Sequence, residues 1–163
     1  MDKKRMLILG LGNEILSDDG IGILVVRRLK EKFEGYSFLD IKESSEMGLS
    51  LLDFFVGYEI VVLIDSVQTG RVEVGYLHEL EESDLKVIEG VSPHYTGVSE
   101  VLVIGKTLGL EMPRKVKIFA IEVKDPFTVS TNITPELLQK MPSIIDKIGW
   151  YINILINKTL SVN

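Results

Sequence analysis

The chain has 163 residues, of which 45% are hydrophobic and 26% charged, and its formal net charge is −6. This length and composition predict one globular domain over residues 1–163. The acidic balance argues against a nucleic-acid or anionic-membrane partner, because both select for clustered lysine and arginine. The chain has no cysteine, which excludes disulfides, thiolate catalysis, zinc ribbons and iron–sulfur clusters.

A basic start followed by apolar residues can resemble an export signal. Here the apolar run of residues 6–9 is short, and the polar residues Asn13 and Glu14 follow soon after it. No small-residue cleavage site follows, and no run of 18 apolar residues occurs in the sequence. We therefore expect a cytoplasmic protein that neither crosses a membrane nor binds one.

The first third of the chain alternates strand-like and helix-like patterns. A first strand is predicted at residues 6–9 and a second at residues 38–42, with a helix between them that begins near Asp19. The apolar face of that helix recurs every four residues, at Ile21, Val25, Leu29 and Phe33. A short helix that ends at Gly57 follows the second strand. Its apolar residues are Met47, Leu51, Leu52 and Phe55.

The next part of the chain has the sequence patterns of three more strands and a helix. The uninterrupted Val-Val-Leu-Ile run within residues 59–66 is typical of a central parallel strand that is buried on both faces. Residues 72–80 predict an antiparallel edge strand, and residues 116–123 a further strand. Between them, a helix is expected from about Gly97 to Gly109.

The last predicted element is a long amphipathic helix. Thr134 is expected to cap it, with Pro135 at the first helical position. Pro142 is expected to bend or interrupt it, because proline lacks the N–H that an interior helical position donates. Strands alternating with helices in this way favour a mostly parallel sheet that is covered by helices.

Three side chains with acid–base or metal-binding chemistry fall where the carboxyl ends of the strands are expected. Asp19 ends the loop after the first strand, Asp65 ends the apolar run of the central strand, and His94 lies in the loop ahead of the next helix. Ligand sites in open parallel sheets form at this edge. Singly, each residue has an ordinary role as a helix cap, a turn cap or a surface histidine. Their shared edge favours a functional site, whereas His78 is interpreted as structural.

The chemistry of these three residues favours a metal. Two neighbouring carboxylates repel each other unless a cation lies between them. With a neutral imidazole they suit a divalent transition metal, and three protein ligands leave coordination positions open. Without a metal, the same groups could perform acid–base catalysis. We predict that Asp19, Asp65 and His94 are metal ligands. The neighbouring Asp18 is expected to cap the helix or shape the loop, worth about 1 kcal/mol of stability.

The Gly10-Leu11-Gly12-Asn13 turn also suggests other functions. A dinucleotide site requires a third glycine where this chain has Ile15, and the acidic pair would repel a pyrophosphate. The turn is also similar to that of peptidyl-tRNA hydrolases, but their Thr-Arg-His-Asn motif is missing and a charge of −6 suits tRNA poorly. A non-catalytic interaction module would give no reason for the three site residues.

Three stretches resemble the hydrogenase maturation endopeptidases, which process the large subunit of nickel–iron hydrogenases. They are "LILGLGNEILSDDGIG", "VLIDS" and "SPHYTGVSEVL", in this order and spacing. The resemblance covers nearly the whole chain. It implies an α/β fold, a three-layer αβα sandwich around a twisted, five-stranded, mostly parallel sheet with helices on both faces. It also implies that Asp19, Asp65 and His94 bind nickel that the substrate supplies.

The activity that the resemblance implies is removal of the C-terminal extension from the large-subunit precursor once nickel has been inserted. The chain has no serine nucleophile elbow, thiol or HExxH zinc motif. Nickel either takes part in catalysis or mainly identifies the loaded precursor, with Asp19 or Asp65 assisting an attacking water. Many family members carry a Gly-Gly-Thr or Gly-Gly-Ser loop after the second strand. Here Ser44, Ser45 and Glu46 replace it, so substrate contacts of that loop do not carry over.

Overall fold

Five strands form a single sheet in this computed structural model, which describes residues 5–84 and 94–162. The strands are β1 (Met6–Leu11), β2 (Leu39–Ser44), β3 (Ile60–Val67), β4 (Leu77–Glu81) and β5 (Lys115–Glu122). Their order in the sheet is β2-β1-β3-β5-β4. The first three neighbouring pairs are parallel, and β4 joins β5 antiparallel at the edge. The predicted mostly parallel, five-stranded sheet is therefore confirmed.

Helices cover both faces of this sheet. They are α1 (Ile21–Lys32), α2 (Leu52–Phe55), α3 (Val98–Thr107) and α4 (Pro135–Ser161). Side chains of a strand alternate between faces, so Ile8 packs with α1 and α4, whereas Leu7 and Leu9 pack with α2 and α3. This arrangement is the expected three-layer sandwich. In the described part of the chain, no helix has both the length and the apolar character needed to cross a membrane.

The connection from β1 to α1 is tight because two glycines let backbones approach closely. Gly12 has φ +156°, and a Cβ there would lie 2.2 Å from the carbonyl oxygen of Asp19. At Gly22, in the first turn of α1, a Cβ would lie 2.3 Å from the carbonyl oxygen of Leu11 and 2.5 Å from that of Ile64. Real side chains do not tolerate such distances, so glycine is required where α1 packs on the sheet.

Four local predictions differ from the structure, and the first is the edge strand predicted at residues 72–80, since β4 begins only at Leu77. Met47 precedes the 3-10 turn Gly48–Leu51 that leads into α2 and is exposed, instead of lying in the helix. Thr134 does lie at the N-cap of α4, but its hydroxyl donates to Asp18 Oδ2. The predicted interruption of the helix at Pro142 is wrong, because α4 is 27 residues long and continues through this proline. Packing of the buried helix face on the sheet outweighs one lost hydrogen bond; Leu137, Ile144, Ile148, Ile152, Leu155 and Ile156 form that face.

Candidate metal centre

Three separate segments bring Asp19, Asp65 and His94 together at the carboxyl edge of the sheet. Asp19 lies in the 3-10 turn Ser17–Gly20 after β1, Asp65 lies two residues before the end of β3, and His94 lies shortly before α3. One ligand atom of each residue lies within 4.8 Å of the others. The residues are 3%, 0% and 2% exposed. We call them the trio, and their role as metal ligands stays a prediction.

Asp65 is held by backbone donors. Its Oδ1 accepts a hydrogen bond from the backbone N–H of Ser66 at 2.8 Å, and its Oδ2 accepts one from that of Tyr95 at 3.1 Å. The second bond ties the end of β3 to the segment that carries His94. Burial, with the charges of Asp65 and Glu122, raises the pKa of the Tyr95 phenol to about 12, so this ring is neutral at physiological pH.

His94 contacts a partner through each ring nitrogen. Nε2 lies 3.1 Å from Asp19 Oδ2, and Nδ1 lies 3.4 Å from the carbonyl oxygen of Glu46. Burial by itself lowers the pKa of His94, but the hydrogen bond to Asp19 and the charges of Asp65 and Asp19 outweigh it, so the pKa is raised overall. The protonated ring can donate to both partners. A metal ion on Nε2 would replace one proton and leave Nδ1–H directed at Glu46.

The Ser44-Ser45-Glu46 segment supports His94 through its backbone. The carbonyl of Glu46 faces the imidazole, and the backbone N–H of Glu46 donates to Ser44 Oγ at 3.0 Å. The serine therefore closes a local turn in this loop. Residues 90–93 of the predicted loop around His94 lie outside the described residues.

Asp18 shapes the loops around the trio and lies outside it. This fully buried carboxylate accepts four hydrogen bonds: from the backbone N–H groups of Lys124, Asp125 and Thr134, and from the Thr134 hydroxyl. It thereby ties the loop after β1 to the segment between β5 and α4. The expected loop-shaping role is confirmed, but the number of bonds indicates a larger contribution than that of a helix cap.

We predict that Asp18→Asn lowers the free energy of unfolding by about 3 kcal/mol, because one amide oxygen cannot replace two oxygens that accept four hydrogen bonds. Asp53→Asn is the control, since Asp53 is an exposed acid. Denaturant unfolding of both variants measures the difference. Folded Asp18→Asn is expected to keep its activity, whereas Asp19→Asn is expected to lose it. The reverse pattern of activities would show that the ligand is Asp18.

A further buried acid, Glu122, was not predicted from the sequence. Glu122, the last residue of β5, accepts hydrogen bonds from the Thr69 N–H and hydroxyl and from the Gly70 N–H. It also lies 2.9 Å from His78 Nε2. An acid that follows an apolar run is the same sequence signal that identified Asp65, so the sequence did contain a signal for Glu122. Its partners hold the loop between β3 and β4, which agrees with the structural interpretation of His78.

The donor set of the trio fits a divalent transition metal. Two carboxylates and one imidazole supply hard and borderline ligands, and their convergence brings two negative charges to one buried point that a cation would neutralise. Three ligands leave coordination positions for atoms of another molecule. The site can therefore bind a metal ion that has further ligands of its own.

Comparisons with known proteins agree on one family. A family model described as HycI, hydrogenase maturation protease, matches residues 23–149. The Hydrogenase 2 maturation protease of Escherichia coli K12 is 25% identical over 149 residues, which cover 86% of this chain and 90% of that protein. HupD of Thiocapsa roseopersicina, named a hydrogenase expression/formation protein, is 23% identical over 145 residues, or 87% of this chain and 65% of that protein.

Solved structures agree on the fold. The hydrogenase maturating endopeptidase HybD from E. coli superposes with a TM-score of 0.75 at 21% identity, covering 88% of this chain and 89% of that one. The nickel–iron hydrogenase maturation protease HycI from Thermococcus kodakarensis KOD1 gives a TM-score of 0.67 at 23% identity, with 90% and 91% coverage. At these identities the superpositions establish the architecture.

Proposed function

Because the chain belongs to the hydrogenase maturation protease family, and is therefore a peptidase, we propose that it removes the C-terminal extension of a nickel–iron hydrogenase large-subunit precursor. In this proposal the precursor is the nickel-loaded form, and Asp19, Asp65 and His94 bind its nickel. The nickel is thus a feature of the substrate, and the enzyme recognises it without keeping it.

One observation supports this proposal most strongly: the trio brings two acids and an imidazole from three separate segments into one buried space. In the described structure His94 Nε2 donates to Asp19 Oδ2 at 3.1 Å, and a metal ion bound to both atoms would take the place of that proton. This arrangement suits binding of a cation that arrives from outside.

The chain's own residues have distinct tasks in this proposal. The nickel, when bound, supplies positive charge that can polarise a neighbouring carbonyl. Backbone donors from Ser66 and Tyr95 hold the Asp65 carboxylate in one orientation. The carbonyl of Glu46 keeps the remaining proton on His94 Nδ1, so that Nε2 presents its lone pair. Burial of the trio excludes bulk water and strengthens each of these interactions.

Cleavage of a purified precursor tests the proposed activity. We expect the protein to shorten the nickel-loaded large-subunit precursor at one position near its C-terminus, which intact-mass spectrometry measures directly. The mature large subunit, which lacks the extension, is the control and is expected to stay intact. A loaded precursor that remains at full length with a folded, equimolar protein would contradict the proposal.

A further inference from the structure

Ser66 touches both carboxylates of the trio. It follows Asp65 in β3 and is 1% exposed. Its Oγ lies 2.8 Å from Asp19 Oδ1, and its backbone N–H donates to Asp65 Oδ1 at 2.8 Å. Successive strand side chains point to opposite faces, which lets the Ser66 hydroxyl reach Asp19 on the α1 side while Asp65 faces the α3 side.

The direction of the bond between Ser66 and Asp19 follows from their chemistry. An ionised carboxylate only accepts hydrogen bonds, so the serine hydroxyl donates to Oδ1. The other oxygen, Oδ2, faces His94 Nε2 at 3.1 Å. The two oxygens of Asp19 therefore have separate partners, one on the strand and one in the trio.

We infer that Ser66 is a positioning residue that orients Asp19 for metal binding. Its hydroxyl holds Oδ1, so that Oδ2 is directed at the space shared with His94. This inference rests on the proposed function, in which Asp19 and His94 bind the nickel of the substrate. Hydrogen-bond partners of metal ligands typically change metal affinity or activity by about 10–100-fold when they are removed.

Ser17 offers a matched control for the loss of a buried hydroxyl. It lies in the same 3-10 turn as Asp19, is 4% exposed, and donates from Oγ to the carbonyl oxygen of Asn132 at 2.8 Å. That bond holds a loop and does not contact a carboxylate of the trio. Removing the Ser17 hydroxyl therefore measures the general effect of losing a buried bond near the site.

Nickel binding to the free protein tests the inference, with Ni²⁺ itself as the probe in isothermal titration calorimetry. Ser66→Ala is expected to weaken Ni²⁺ binding about 10–100-fold, while Ser17→Ala stays within about threefold of the parent. A second pair, Ser66→Thr and Ser66→Val, has nearly equal shape and differs in the hydroxyl. Ser66→Thr is expected to bind Ni²⁺ at least about tenfold more tightly than Ser66→Val, and this pair decides the result if Ser66→Ala does not fold.

The possible outcomes separate this inference from the proposed function. If the parent protein binds Ni²⁺, His94→Ala does not, and Ser66→Ala binds like the parent, the role of Ser66 is overturned and the ligand set stands. An equal loss of affinity in Ser66→Ala and Ser17→Ala would also overturn it, as would equal affinities of the threonine and valine variants. If the parent binds Ni²⁺ no better than His94→Ala, the ligand set fails, and the inference fails with it.

Discussion

Replacing Asp19, Asp65 or His94 with alanine is expected to lower kcat/KM for the nickel-loaded precursor about a thousandfold. Each replacement removes one of the three proposed ligands, and the fold change corresponds to about 4 kcal/mol of lost transition-state stabilisation. Because all three side chains act on one metal ion, the losses are not additive, and the double variants are expected to resemble the single ones. Initial rates of precursor shortening measure the effect.

The other histidine provides the control for this prediction. His78 pairs with Glu122 and lies outside the trio, so His78→Ala is expected to keep its rate within about threefold after correction for the folded fraction. Circular dichroism establishes that each variant is folded at the assay temperature. A folded His94→Ala variant that processes the precursor at the parent rate would remove His94 from the site.

The second large effect concerns the substrate. A precursor prepared without nickel is expected to be cleaved at least about a hundredfold more slowly than the loaded form. Without the cation, the trio loses the metal-mediated contact with the precursor that the loaded form is proposed to provide. A difference of about 3 kcal/mol in binding between the two forms is enough for this discrimination.

Rates for the two precursor forms must be compared at equal concentration and with protein freed of metal by dialysis against a chelator. The protein itself is expected to carry far less than one equivalent of nickel or zinc after dialysis, because an enzyme that kept its own metal could not tell the two forms apart. Equal cleavage of loaded and nickel-free precursor, or one resident equivalent of metal, would contradict recognition through substrate-borne nickel.

Much of the fold could be predicted because its strongest signals are local. The continuous apolar run of β3 predicts burial on both faces, and the structure confirms it between Val61 and Ile64. The edge position of β4 and its antiparallel direction were also correct. Where prediction failed, tertiary packing overrode local preference: α4 continues through Pro142 because its apolar face is anchored on the sheet before and after that residue.

The convergence of the trio could be anticipated from topology, but its supporting contacts could not. A rule about strand ends brings Asp19 and Asp65 to one edge, yet an acid that follows an apolar run does not by that position alone distinguish Asp65 from Glu122. The difference lies in their surroundings: Glu122 contacts Thr69, Gly70 and His78 in the loop between β3 and β4, whereas Asp65 lies beside Asp19 and His94. The contact of Ser66 with Asp19 likewise joins residues that are 47 positions apart in the sequence.

Crystallography of the protein soaked in Ni²⁺, with anomalous scattering recorded at the nickel absorption edge, tests most directly whether Asp19, Asp65 and His94 bind nickel. We expect one strong anomalous peak about 2 Å from Asp19 Oδ2, His94 Nε2 and a carboxylate oxygen of Asp65. The same peak is expected to be absent from crystals of His94→Ala that are soaked in parallel. An ordered trio without a nickel peak, in crystals that bind nickel elsewhere, would contradict nickel binding by these three residues.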